Sequence, residues 1–463
     1  MGLGTQRKIW GLAQSSIYTA CLLVAALGVI AVSFPDGAAA ILVVIIFSGL
    51  SLLVFRSFTT EKHFVTTAFL LGLAIRLGFG IFVHMADLRS FFGGDAIGYD
   101  YNGAGIADAW WQGIPSTDPI IMRASVIGGP GWGMNYLVAI LYAIIGRNIF
   151  AAQSFCAVVG AATVPMVFFC SNRIYHNLRA AKLAAVLIAV FPSFIIWSSQ
   201  LLKDGLIIFL LVLAMTMVLE LQEKFSIQAL LLLVFSMLGI LSIRFYILYM
   251  VIVAVVGSFA VGVSNSSRSM IARLTTLAVL GLALTYFGAV RISTLDLDKF
   301  GSLERVQQSR LDLATSAKSG FGADEDVSTP EGALLVIPVG FMYLMFAPFP
   351  WSMINLRQTI TLPEVLIWWA MIPLLISGLR YSIKYRLRNA LPVLIFSLML
   401  TIAYSIFQGN VGTAYRQRTQ IQVFLFMFIA VGWVIFKEKR ENMEIVRRRN
   451  RELFDASLKR RLE

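Results

Sequence analysis

Apolar runs of about 17 to 22 residues recur along this chain from residue 13 to residue 436, each near the length a helix needs to cross the hydrocarbon of a bilayer. A chain built this way has little choice of architecture, because backbone groups in lipid must be satisfied within a helix or a closed barrel. Residues are 58% hydrophobic and 14% charged over 463 positions, and no stretch has the polar surface of a sizeable soluble domain. The expected fold is all-α, a polytopic transmembrane helix bundle of about 12 spans with added interfacial or re-entrant helices.

The runs place spans near 13–34, 38–55, 64–84, 149–170, 183–200, 205–221, 226–243, 246–263, 271–290, 363–379, 389–407 and 419–436. With Arg7 and Lys8 inside, strict alternation also puts Arg56–His63, Arg173–Lys182, Ser264–Arg273, Arg380–Arg388 and the basic tail inside. Both termini are therefore expected in the cytoplasm. The first run superficially resembles a cleavable signal, but it is long for a signal core and another apolar run follows at once, so it reads as a retained helix. The segment Leu334–Trp351 is expected to be interfacial or re-entrant, because counting it as a span would reverse the loops that follow.

The net charge of +13 does not point to nucleic acid, since much of it lies in short loops and in the tail 437–463, where ten Lys/Arg face six Asp/Glu. That tail is a topogenic anchor or an amphipathic helix on anionic lipid. Cys21, Cys156 and Cys170 lie in apolar spans without ligand spacing and read as packing residues. His63 and His84 have no paired ligand at motif spacing, so neither reads as a metal ligand.

Two long outward segments remain, Met85–Asn148 and Arg291–Ala333, and loops of this length are usually functional or disordered. The second carries Asp324, Glu325 and Asp326 among glycine and serine and reads as a mobile acidic loop. The first opens with Phe91–Asn102, in which Gly93 and Gly94 permit a sharp turn and Asp95 can start a helix with Tyr99 on its face, one turn on. Asp100 and Tyr101 follow directly. The stretch from Gly128 continues into a short apolar helix suited to the membrane surface.

The order of Asp95 and Tyr99, then Pro130–Tyr142 and Gly146, then a span closing in a basic loop, resembles the GT-C class of lipid-phosphate-sugar-dependent glycosyltransferases, in the manner of the dolichyl-phosphate-mannose protein mannosyltransferases. The likeness covers roughly residues 64–263. It departs from the class in lacking paired acids beside Asp95 and in carrying two extra helices before residue 64. Phe191–Asp204 resembles the segment that brings a second acidic position outward, and Gly239–Tyr246 and Val411–Arg418 resemble later outward turns with basic residues.

The resemblance implies an inverting transfer of a sugar, hexose or pentose, from a polyprenyl-phosphate carrier to a glycan or lipid-linked acceptor. The implied setting is the outer face of a bacterial inner membrane, in envelope or exopolysaccharide assembly. Asp95 would be the general base, with Tyr99, Asp100, Tyr101, Lys203, Asp204, Arg244, Arg416 and Arg418 binding substrate. Asp204 has a plainer role open to it, complementing a helix dipole. Arg76, roughly 18 Å into the third span, either holds phosphate, snorkels or pairs with a carbonyl. No cofactor is implied with certainty, and a divalent cation stays open.

The layout expected is two extra helices over 1–63, a catalytic core over 64–290 with its loop 85–148, an outward segment over 291–362, C-terminal spans over 363–436 and the tail 437–463. Three other readings compete, one of them a scaffold without catalysis. An outer-face polysaccharide polymerase or ligase would centre on Arg244, Arg416 and Arg418 and dispense with Asp95. A lipid-linked saccharide flippase would need polar residues along several spans.

Overall fold

A computed structural model describes residues 19–32, 36–92, 94–115, 118, 131–261, 267–286, 288–289, 301–316, 318–353 and 356–462. Residues 13–18 of the first apolar run, the Gly128–Pro130 opening, 264–266 and 291–300 lie outside that description. Among the described residues the chain is helical without strands, and a single isolated bridge pairs Gly320 with Asn410.

In chain order the helices are α1 (Thr19–Val32), α2 (Asp36–Ser57), α3 (Lys62–Met85), α4 (Arg89–Phe92), α5 (Asp95–Trp111), α6 (Trp132–Ile145), α7 (Ile149–Tyr175), α8 (Leu178–Val190) and α9 (Pro192–Ser198). They continue as α10 (Lys203–Glu223), α11 (Ile227–Ile243), α12 (Phe245–Val261), α13 (Ser267–Tyr286), α14 (Leu303–Thr315), α15 (Pro330–Phe346), α16 (Leu356–Tyr385), α17 (Leu387–Phe407) and α18 (Val411–Leu462). Side chains set several starts: Asn148, Asn177, Ser226, Ser302 and Thr329 each accept a backbone N–H three residues on.

All twelve apolar runs have helices, but seven are long and apolar enough to cross a membrane among the described residues, or eight if α8 and α9 form one span. The expected span 183–200 is not one straight helix but the bent pair α8 and α9. The chain bends by 56° between α8 and α9, where Phe191 is extended and Pro192 occupies the first helical turn without an N–H to continue α8. In the opposite sense, Pro338 lies inside α15 without breaking it, and the chain turns only at Ala347–Pro348.

The most apolar windows of α7, α10 and α18 are 83%, 89% and 78% buried, against 28% for α2 and 22% for α16, so the first three form the centre and the last two its lipid-facing sides. Contact at α16–α18 is backbone to backbone. A Cβ on Gly378 would lie 1.8 Å from the Phe428 carbonyl oxygen, and one on Gly432 would lie 2.0 Å from that of Leu374. Cys156 and Cys170 pack in the interior as expected, whereas Cys21 is exposed.

The acidic stretch is not the mobile loop expected. Arg310 on α14 is buried and donates to the carbonyls of Ile406 (2.9 Å) and Gln408 (2.7 Å), while also pairing with Glu325. The Val327 N–H donates to Gln307 at 2.8 Å. This strap is pinned to the turn that precedes α18.

Candidate functional site

Four breaks in helical structure meet at one end of the bundle. Asp95 is the first residue of α5, and Lys203 and Asp204 open α10 after the α8–α9 bend. Arg244 is the non-helical residue between two apolar helices, α11 and α12. Asn410 caps α18 by accepting from Gly412 N at 2.7 Å, which fixes Arg416 in the second turn.

Arg416 joins the pieces. Its Nε donates to Asp204 Oδ2 at 2.6 Å and its Nη1 to Asp95 Oδ2 at 2.8 Å. The other oxygen of Asp204 accepts from Arg244 Nη2 at 2.9 Å. Arg244 in turn donates to the hydroxyls of Tyr246 (3.1 Å) and Tyr404 (3.4 Å). Asp204 is fully buried, and a lone carboxylate there would be costly, so its two arginines satisfy both oxygens at once. Asp95 is different: half of its side chain is exposed, at the outer edge of the chain of charges.

Tyr99 lies one turn after Asp95. Burial, reinforced by the negative charges of Asp95 and Asp204, holds its phenol well above the usual range, so it stays a hydrogen-bond donor. Lys203 is half-buried beside the same charges.

On the other side of Arg416 opens a cavity of about 660 Å³, a size that suits a small ligand. Phe91, Phe92, Leu356 and Ile360 give it an apolar wall, Trp197 and Tyr415 an aromatic one, and Lys318, Arg357, Gln358 and Asn410 polar groups. The Arg416 guanidinium lies 5.5 Å from the Trp197 ring centroid. The cavity and the chain of charges share Arg416.

Four residues singled out in the sequence are placed elsewhere. Asp100 is five positions beyond Asp95, hence on another face of α5, where it accepts from Tyr142 Oη at 2.6 Å and Arg147 Nη2 at 2.6 Å and ties α5 to α6. Tyr101 is 73% exposed. Arg418 is two positions from Arg416, roughly 200° around the helix, and donates instead to the carbonyls of Met345 and Ala347, both at 3.0 Å. Arg76 donates to Ile188 O (3.1 Å), Ala189 O (3.4 Å), Gly72 O (3.0 Å) and Ser198 Oγ (2.8 Å), so its guanidinium is engaged mainly by carbonyls. Both arginines occupy helix C-termini, where cations satisfy the last carbonyls.

Reading the sequence missed Trp197, Tyr246, Tyr404, Lys318 and Arg357. Tyr246 stands two residues from Arg244, where α11 gives way to α12, and was within reach of such reasoning. Lys318 and Arg357 carry no local signal, because only the strap and the start of α16 bring them to the cavity. Among the described residues no group of three His, Cys, Asp or Glu side chains is arranged to hold a metal ion.

Residues 131–290 match the family described as dolichyl-phosphate-mannose-protein mannosyltransferase. The match spans 160 of the 463 residues and is a likeness of that segment to the family. It overlaps the resemblance drawn above from residue 131 to Gly146, whereas Asp95 and Tyr99 precede it. No curated protein matches the chain. The matched segment holds Lys203, Asp204 and Arg244, whereas Asp95 and Arg416 reach the site from outside it.

Proposed function

We propose that the chain is an inverting glycosyltransferase that moves a sugar from a polyprenyl-phosphate carrier to a glycan or lipid-linked acceptor. It acts at the outer face of the cell membrane, with both termini cytoplasmic, in assembly of envelope or exopolysaccharide. The single observation that carries this reading is the position of Arg416, which lines the cavity and holds the half-exposed carboxylate of Asp95. The lipid-phosphate sugar occupies the cavity, with its isoprenoid along Phe91, Phe92, Leu356 and Ile360 and its phosphate near the cations.

A phosphate in the cavity competes with Asp95 for Arg416. The freed carboxylate then takes the proton of the acceptor hydroxyl as that oxygen attacks the anomeric carbon. Asp204 is a positioning residue: it holds Arg244 and Arg416 in place and has no exposed oxygen of its own. The catalytic unit joins the core 64–290 to the C-terminal helices through Arg416.

Sugar transfer from a polyprenyl-phosphate donor is measured in membranes carrying the wild-type chain or Asp95→Asn at matched expression. Loss of transfer in the variant alone is the expected outcome, with a fall of roughly 100-fold or more for loss of a general base. Undiminished transfer would remove Asp95 from the chemistry and move it to an arginine-centred polymerase or ligase.

A further inference from the structure

Charge is unevenly distributed about Arg416. On one side, the two carboxylates Asp95 and Asp204 and the two guanidinium groups of Arg244 and Arg416 cancel, and Lys203 beside them adds one cation next to two carboxylates. On the cavity side two more cations, Lys318 and Arg357, share a lining that contains no carboxylate. Among the described residues neither takes part in a salt bridge. Arg357 is steadied over the Phe91 ring, 5.0 Å from its centroid, and by donating Nη2 to Ser90 O at 3.3 Å, so among the described residues most of its fork of donors is unspent.

The intact donor is a phosphodiester with one negative charge. When its sugar leaves, the carrier becomes a phosphate monoester with a charge of about −1.5 to −2 at neutral pH. Two uncompensated cations therefore match the departing group better than the donor, and a site that meets charge only as it develops lowers the barrier.

We propose that Lys318 and Arg357 are catalytic residues that contact the departing phosphate and select its second negative charge. This rests on the donor occupying the cavity. In the step, a lone pair of the acceptor oxygen forms the bond to the anomeric carbon. The bond from that carbon to the phosphate oxygen breaks and leaves its electron pair on the phosphate, while the acceptor proton goes to Asp95. Spent carrier is thus held more tightly than the loaded donor.

The test uses the full-length chain in detergent and two probes, a polyprenyl phosphate and its monomethyl ester, which keeps one charge and has no sugar to transfer. The wild type is expected to bind the monoester about tenfold more tightly at about pH 8, with the preference fading near pH 5 as the monoester takes up a proton. Lys318→Gln and Arg357→Gln should each weaken the monoester about tenfold and the methyl ester by less than about twofold, with Arg357→Lys restoring binding. In transfer assays kcat should fall while the donor KM stays within about twofold. Lys318 makes no described hydrogen bond or ion pair, so its variant is expected to keep the fold.

Equal weakening of both probes would overturn selection of the second charge. Unchanged binding of both in both variants would place the phosphate elsewhere and overturn any role for these two cations. A wild type that binds neither probe would overturn the donor reading itself.

Discussion

Arg416 and Arg418 are two residues apart, carry the same charge and have opposite employment. Arg416 links two carboxylates beside a cavity, and Arg418 is buried against the last carbonyls of α15. Replacing each by glutamine separates them: Arg416→Gln is expected to lower kcat/KM by roughly 100-fold or more. Arg418→Gln should instead cost about 1–3 kcal/mol of stability by leaving carbonyls unsatisfied, with donor KM unchanged. Thermal unfolding and transfer kinetics on the same preparations check both, and equal kinetic loss would return Arg418 to the site. The sequence brought Asp95, Asp204, Arg244 and Arg416 into view because charged residues at the ends of apolar runs are few. It did not separate Asp100, Tyr101, Arg76 and Arg418 from them, because sidedness at the membrane says nothing about which helix face a residue occupies.

At the scale of elements, hydropathy located helices over all twelve runs, since burial in lipid and burial in protein make the same demand on composition. Direction is what it lacks. The 56° bend at Pro192 and the strap α14, with Arg310 reaching carbonyls almost 100 positions away, depend on partners that no local pattern specifies. The crossing of α16 and α18 is a sterically exacting contact of this kind, with two glycines against backbone. Gly432→Leu is expected to push these helices apart at a cost of roughly 1–3 kcal/mol. Gly49→Leu, with nothing within 4 Å of its added Cβ, should be close to neutral. Equal unfolding temperatures for the two variants would show that the crossing tolerates bulk.

For the whole molecule, orientation is testable with a membrane-impermeant thiol reagent on intact cells. Tyr101 and Arg380 are both exposed, and Cys21→Ser removes the exposed native thiol. Cysteine at 101 should label from outside and cysteine at 380 only after lysis; the reverse pattern would invert the topology. Assembly of the site is equally a property of the whole chain, for its charges come from residues 95, 204, 244 and 416, and two of the four lie beyond the segment shared with the mannosyltransferase family. Those four charges sum to zero, and three of them are largely hidden from water. Substituting one alone strands an opposite charge at the edge of a membrane, so drift at this site must proceed by compensated pairs. A lineage that changes chemistry here has to cross a poorly folded intermediate or alter two helices together, which makes the constellation slow to lose and slow to reinvent.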